Sequence, residues 1–124
     1  MAYRNYYESE DTAKSIWNID DAVMKTIYNL KVQFLIFMQK WDMENAYWIL
    51  TLIDMEVSSK FSSQEQTKLD KSMNDLEESR KDFAEKKISA GKFFLDLRNI
   101  YKKMNLLMKE HGLYFREAED DVGL

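Results

Sequence analysis

His111 is the first candidate for chemistry, because it is the only histidine in the chain. A single histidine cannot form a multi-histidine metal site, and the E-x-x-H pairing of di-iron helical bundles does not occur. His111 directly precedes Gly112 at the end of an apolar helical pattern, where the helix dipole favours a protonated imidazole. We therefore expect His111 to have a helix-terminal role rather than a catalytic or metal-binding one.

Carboxylates at helical spacing, Asp75 with Glu78 and Asp82 with Glu85, are the next candidates, since paired carboxylates serve acid–base catalysis. Neither pair has a histidine, a nucleophile or a metal-ligand partner nearby in sequence. The chain is 32% charged, so a solvated helix surface explains both pairs without catalysis.

The serines, glycines and lysines form no complete nucleophile or phosphate-binding motif. Residues 89–92 match S-x-x-K, but the companion S-D-N and K-T-G motifs are missing, as are G-x-S-x-G, the Walker-type loop and G-x-G-x-x-G. Because there is no cysteine, thiol nucleophiles, disulfides and thiolate zinc sites are excluded. We therefore predict that the protein is not an enzyme, with no catalytic residues, no metal and no cofactor.

Charge is the first pattern that suggests a partner. Residues 80–109 contain nine basic side chains and only three acidic ones, which could form a face for phosphates or for an acidic protein. The alternative is an ordinary solvated surface, which the net charge of −4 and the absence of helix-turn-helix glycine spacing favour. We define the basic face as Arg80, Lys81, Lys86, Lys87, Lys92, Arg98, Lys102 and Lys103.

Aromatic residues suggest a protein partner instead. Tyrosines are frequent in residues 1–17, and tyrosine is enriched at interfaces; such an arm could dock on its own bundle or on a neighbouring subunit. Residues 43–57 are apolar around most of a helix circumference. This apolar surface is larger than one small bundle can cover. The predicted interface comprises Tyr3, Tyr6, Tyr7, Trp17, Trp48, Ile49 and Leu52. The partner is either a second copy or a foreign protein.

The elements that position these residues are helices, because 124 residues contain no proline and only three glycines. Apolar residues recur at steps of three and four. The sequence predicts one all-α domain over residues 1–124, an antiparallel bundle of about four helices. The predicted helices span residues 19–40, 43–60, 63–88 and 91–111, with an aromatic arm at 1–17 and an acidic tail at 113–124. The pairs Trp41/Trp48 and Phe93/Phe94 are expected in the core rather than in a ligand site, except where the apolar surface is too large for one small bundle, which would imply a partner.

Few residues in the sequence mark clearly where one helix ends and the next begins. Whether residues 20–60 form one helix or two is open, and two are favoured because Asp42 could cap the second. Ser62 with Glu65, or Ser63 with Gln66, fits a capping box. A left-handed turn is expected at Gly91, and a C-terminal helix cap at Gly112.

The chain carries no sign of secretion or membrane insertion. The N-terminal residues lack a signal-peptide apolar region, and the longest uncharged stretches, 32–39 and 45–53, are shorter than the roughly 20 residues of a membrane span. A cytoplasmic location is therefore expected.

The composition is typical of phage and other mobile-element accessory proteins. We predict a helical interaction or assembly protein, such as a virion-assembly part or an inhibitor of a host system; the alternative is a nucleic-acid-associated protein using the basic face.

Overall fold

The computed structural model describes residues 21–112, of which 87% are helical and none is in a strand. The chain forms an all-α bundle over these residues, as predicted, whereas the aromatic arm and the acidic tail lie outside them. The four helices are α1 (Asp21–Gln39), α2 (Met43–Val57), α3 (Ser63–Ala84) and α4 (Ala90–Glu110), and a short 3-10 turn at Ser58–Lys60 follows α2.

The core lies between the inward faces of the four helices, and α3 contributes least to it. The buried residues of α2 are Met43, Ala46, Tyr47, Leu50, Ile53 and Val57. Those of α4 are Phe93, Leu97, Tyr101, Met104 and Met108. Only Leu69 and Leu76 are buried on α3, a helix rich in charged residues.

Ring contacts show that α1 and α4 run in opposite directions. The Phe34 ring stacks on Tyr101 with 4.4 Å between centroids. Trp41, seven residues after Phe34 and just beyond the end of α1, stacks on Phe94 with 4.3 Å between ring centroids. Residue numbers therefore rise on one helix as they fall on the other.

The same relationship holds for α3 and α4. Near the start of α3, Glu65 Oε1 lies 2.9 Å from His111 Nε2, and near its end the Ser79 hydroxyl donates to Asp96 at 2.7 Å. Glu65 also completes the predicted capping box, since it accepts from the Ser62 amide at 2.8 Å. The hydrogen bond from that amide, and then the one from His111, lowers the pKa of Glu65. His111 lies at the end of α4, as expected, and joins it to the start of α3.

The α1–α2 turn resolves the question that the sequence left open, since α1 and α2 are separate helices. The Trp41 amide donates to the Met38 carbonyl at 3.1 Å and the Asp42 amide to Phe37 at 2.9 Å, the pattern of a Schellman cap. Trp41 therefore has a φ of 56°, a conformation that glycine normally adopts. Asp42 caps α2 as predicted, accepting from the backbone and side chain of Asn45.

A second Schellman cap ends α3 at Ala84, before the predicted end at residue 88. The amides of Lys86 and Lys87 donate to the carbonyls of Phe83 and Asp82 at 3.0 and 2.7 Å. Lys86 occupies the left-handed position with a φ of 62°. Both caps were hidden from residue-type reasoning because neither uses a glycine.

The glycines confirm one expectation and overturn another. Gly112 has a φ of 89° directly after α4, as predicted for a helix-ending glycine. The left-handed turn predicted at Gly91 is wrong: Gly91 lies within the first turn of α4, and only Gly112 among the described glycines has a positive φ. The turn is made instead by Lys86, and Ser89 caps α4 by accepting from the Lys92 amide at 3.1 Å.

None of the described helices is both long and apolar enough to cross a bilayer.

Candidate functional site

The outer face of α2 carries a row of exposed apolar side chains, Trp48, Leu52 and Met55, which we call the α2 stripe. Their exposed fractions are 48, 44 and 70%. Steps of four and three residues place the three side chains on one side of the helix. The buried residues of α2 occupy the opposite side. An apolar row on an outer helix face is the geometry that helix-to-helix docking uses.

The α2 stripe includes part of the interface predicted from the sequence. Trp48 and Leu52 are exposed on it, whereas Ile49 is half-buried and packs against the core. Sequence reasoning missed Met55, because an all-round apolar helix does not reveal which side its neighbours cover. The aromatic residues predicted for the arm, Tyr3, Tyr6, Tyr7 and Trp17, lie outside the described residues.

Trp48 is fixed in place although half of it is exposed. Its indole Nε1 donates to Glu44 Oε1 at 3.2 Å, one turn earlier on α2, and its ring packs edge-on against Tyr47 with centroids 5.0 Å apart. From α3, the Arg80 guanidinium lies 5.2 Å from the Trp48 ring centroid and 5.0 Å from that of Tyr47. Arg80 also donates to Glu44 at 3.1 Å. A rigid, exposed aromatic side chain is the type of residue that dominates binding at protein interfaces.

A second exposed tryptophan, Trp41, lies at the α1–α2 turn with 54% of its surface exposed. Its ring stacks on Phe94, which is half-buried, while Phe93 is fully buried. The expectation of a core position is therefore wrong for Trp41 and Trp48 and correct for Phe93. The left-handed backbone explains Trp41, because the turn rotates its side chain out of the α1 seam. This conformation costs a non-glycine residue about 1 kcal/mol.

Four of the eight cations of the predicted basic face form ion pairs with acidic side chains of the chain itself. Lys103 donates to the Ser72 hydroxyl at 3.0 Å, and Arg98 is half-buried with an unbonded, buried Nε. Lys86 and Lys102 are exposed. The remaining cations form the ion pairs Arg80–Glu44, Lys81–Glu77, Lys81–Glu78, Lys87–Glu85 and Lys92–Asp96.

A polar groove of about 240 Å³ lies between α3 and α4. Three of the polar groups that line it are bonded to one another: Asp96 accepts from Ser79 at 2.7 Å and from Lys92 at 2.7 and 2.8 Å. Within residues 21–112, no three His, Asp or Glu side chains are placed to hold a metal ion.

Two carboxylates, Asp54 on α2 and Asp70 on α3, are close enough for their charges to interact. Burial, and then the negative charge of Asp70 on α3, raises the pKa of Asp54 on α2. The Oδ1 atom of Asp54 is buried without a hydrogen-bond partner. An acid in this position opposes close packing of the two helices when it is ionised.

Comparison of the chain with protein-family models, with curated proteins and with solved structures finds no match.

Proposed function

We propose that the protein is a non-enzymatic helical interaction protein whose α2 stripe binds another protein chain. The supporting observation is the row formed by Trp48, Leu52 and Met55, each at least 44% exposed on a helix whose other side is in the core. Single exposed apolar residues are common on protein surfaces, but contiguous apolar patches mark interaction sites.

The size of the α2 stripe indicates reversible binding. Three partly exposed large side chains present roughly 300 Å² of apolar surface, a patch size that is often functional in monomeric proteins. Polar residues beside the row, Glu44 and Glu56 among them, would form a rim. We expect dissociation constants in the micromolar range rather than an obligate complex.

The proposal places the protein in the cytoplasm, in keeping with its lack of cysteine. Docking through the α2 stripe would serve either accessory role suggested by the composition, virion assembly or inhibition of a host protein. In both cases the protein acts by covering or joining surfaces, and needs no catalytic group.

Nucleic-acid binding has less support. Arg80, Lys81, Lys87 and Lys92 are each within 4 Å of a carboxylate of the chain. Binding to phosphates would have to displace these acidic partners, and affinity grows with the number of phosphates neutralised. A surface compensated in this way is better suited to solubility than to a nucleic acid.

Site-specific photo-crosslinking tests the proposal. A benzophenone amino acid replaces Leu52 in one variant and Leu106 in a control, because Leu106 is an equally large exposed side chain on α4, 59% exposed. Irradiation of producing cells should yield a discrete protein adduct from position 52 and none from position 106. No adduct at position 52, or the same adducts at both positions, would contradict an interface on α2.

A further inference from the structure

We propose that the partner of the α2 stripe is the α2 stripe of a second copy, packed antiparallel about a two-fold axis near Leu52. This inference rests on the proposed function and names its partner. Among the described helices, α2 alone has three successive exposed apolar positions on one side; on α4, Leu95 and Leu106 are separated by Asn99 and Lys102.

The order of side chains along the α2 stripe suits an antiparallel pair. With Leu52 opposite its counterpart, Trp48 of one copy falls beside Met55 of the other, because the two residues lie at similar distances on either side of Leu52. A rigid indole and an adaptable thioether pack well together, and sulfur–aromatic contacts are favourable. A parallel pair would instead set the two bulky indoles of Trp48 against each other.

Charge selects the same direction. Glu44 lies on α2 eight residues before Leu52, whereas Lys60 lies eight residues after Leu52 in the 3-10 turn beyond the end of α2, and both are exposed. Antiparallel packing therefore places Glu44 of each copy at the same end of the pair as Lys60 of the other, twice by symmetry, whereas parallel packing places Glu44 at the same end as Glu44. The bond from Arg80 orients the Glu44 carboxylate at this end of the stripe.

The area is sufficient for a reversible dimer. α2 has 15 residues, which gives a contact length of about 22 Å. Two apolar rows and their polar rims together bury about 1,000 Å², the lower limit for a specific interface. A two-fold pair uses each surface once and closes, so assembly stops at the dimer.

Single-cysteine crosslinking tests the position of the axis, because the chain has no cysteine of its own. Purified Leu52→Cys protein should form a covalent dimer on oxidation or with a short bis-maleimide, at least about tenfold faster than the matched Leu106→Cys control. Equal rates for the two variants would overturn the two-fold pairing. Adducts of position 52 with another protein in cells, together with equal rates here, would overturn this inference and leave the proposed function standing.

Charge reversal tests the direction of packing. Glu44→Lys and Lys60→Glu should each weaken self-association several-fold, and an equimolar mixture should restore it, because only the mixed pair joins opposite charges at both ends. Glu44→Lys also removes the bond to Arg80, so circular dichroism checks the fold of each variant. A folding defect cannot be repaired by mixing, and failure of the mixture to associate more tightly than either variant would overturn the antiparallel pairing.

Discussion

The Arg80 guanidinium lies over the indole of Trp48, 5.2 Å from the ring centroid. The two residues come from different helices, and Glu44 joins them by accepting from both Arg80 and the Trp48 indole. A helix with few apolar residues, α3, thereby orients the largest side chain of the α2 stripe. The exposed apolar surface of α2 thus depends on a residue that sequence patterning assigns to a basic face.

Replacement of Arg80 should therefore affect both stability and binding. Arg80→Ala removes a cation–π contact and a partly exposed ion pair, and we expect unfolding to become easier by about 1 kcal/mol. Self-association should weaken as well, because Trp48 loses its fixed orientation. Urea unfolding followed by tryptophan fluorescence measures the first effect. Lys81→Ala, which removes a more exposed ion pair on the same helix, should change stability by less than about 0.5 kcal/mol.

Replacement of Lys86 by glycine should increase the stability of the fold. Its φ of 62° is unfavourable for a side chain with a Cβ, and Lys86 is exposed, so Lys86→Gly should stabilise the fold by about 0.5–1 kcal/mol. Thermal unfolding provides the comparison. The neighbouring change Lys87→Gly, at a residue without a positive φ, should give no gain; a gain there equal to that at Lys86 would contradict the Schellman cap.

Replacement of Gly91 by alanine should also increase the stability of the fold, because Gly91 has a helical backbone and not a left-handed one. It is helical, and an added Cβ would meet only the Ser89 hydroxyl at 3.9 Å. Gly91→Ala should raise stability by up to about 1 kcal/mol. Gly112→Ala, at a φ of 89°, should lower stability in the same chemical denaturation experiment. A loss of stability in Gly91→Ala would show that this position is not helical.

Asp54 should make the protein less stable as pH rises. Its folded-state pKa is raised above 3.8, first by burial and then by Asp70, so the folded protein holds a proton that the unfolded chain releases. Stability from this group is present below pH 3.8 and is lost as pH rises through the folded pKa. Asp54→Asn should therefore be more stable than the wild type at pH 7, with a smaller gain for Asp70→Asn. Urea midpoints at pH 4 and 7 measure this; no gain for Asp54→Asn would contradict a destabilising carboxylate.

The existence of the helices could be predicted from the sequence, but not all their ends. Steps of three and four between apolar residues, without proline, leave little alternative to helices. Asp42 and Ser62 were recognisable as caps because their side chains accept from backbone amides. Trp41 and Lys86 gave no such signal, since neither is a glycine or an asparagine, the residues that usually occupy the left-handed position of a helix-ending cap.

The candidate site could be predicted only in part. The apolar excess of α2 indicated an interface at Trp48 and Leu52, but the exposure of Met55 depends on where α1 and α3 pack. The charge around the basic face could not be predicted from the sequence for a related reason: Glu44 and Arg80 are 36 residues apart in sequence and form an ion pair only in the folded bundle. A count of charges along the chain does not include such neighbours.

Light scattering after size exclusion tests most directly whether the α2 stripe pairs with that of a second copy. We expect the wild-type mass to rise from 14.9 kDa towards twice that value as concentration approaches about 100 µM, and to do so at high salt as well, because apolar contacts resist screening. Leu52→Asp should remain at the monomer mass, and the control Leu106→Asp should behave like the wild type. A wild-type mass that stays at 14.9 kDa and equals that of Leu52→Asp at every concentration would contradict self-association through α2.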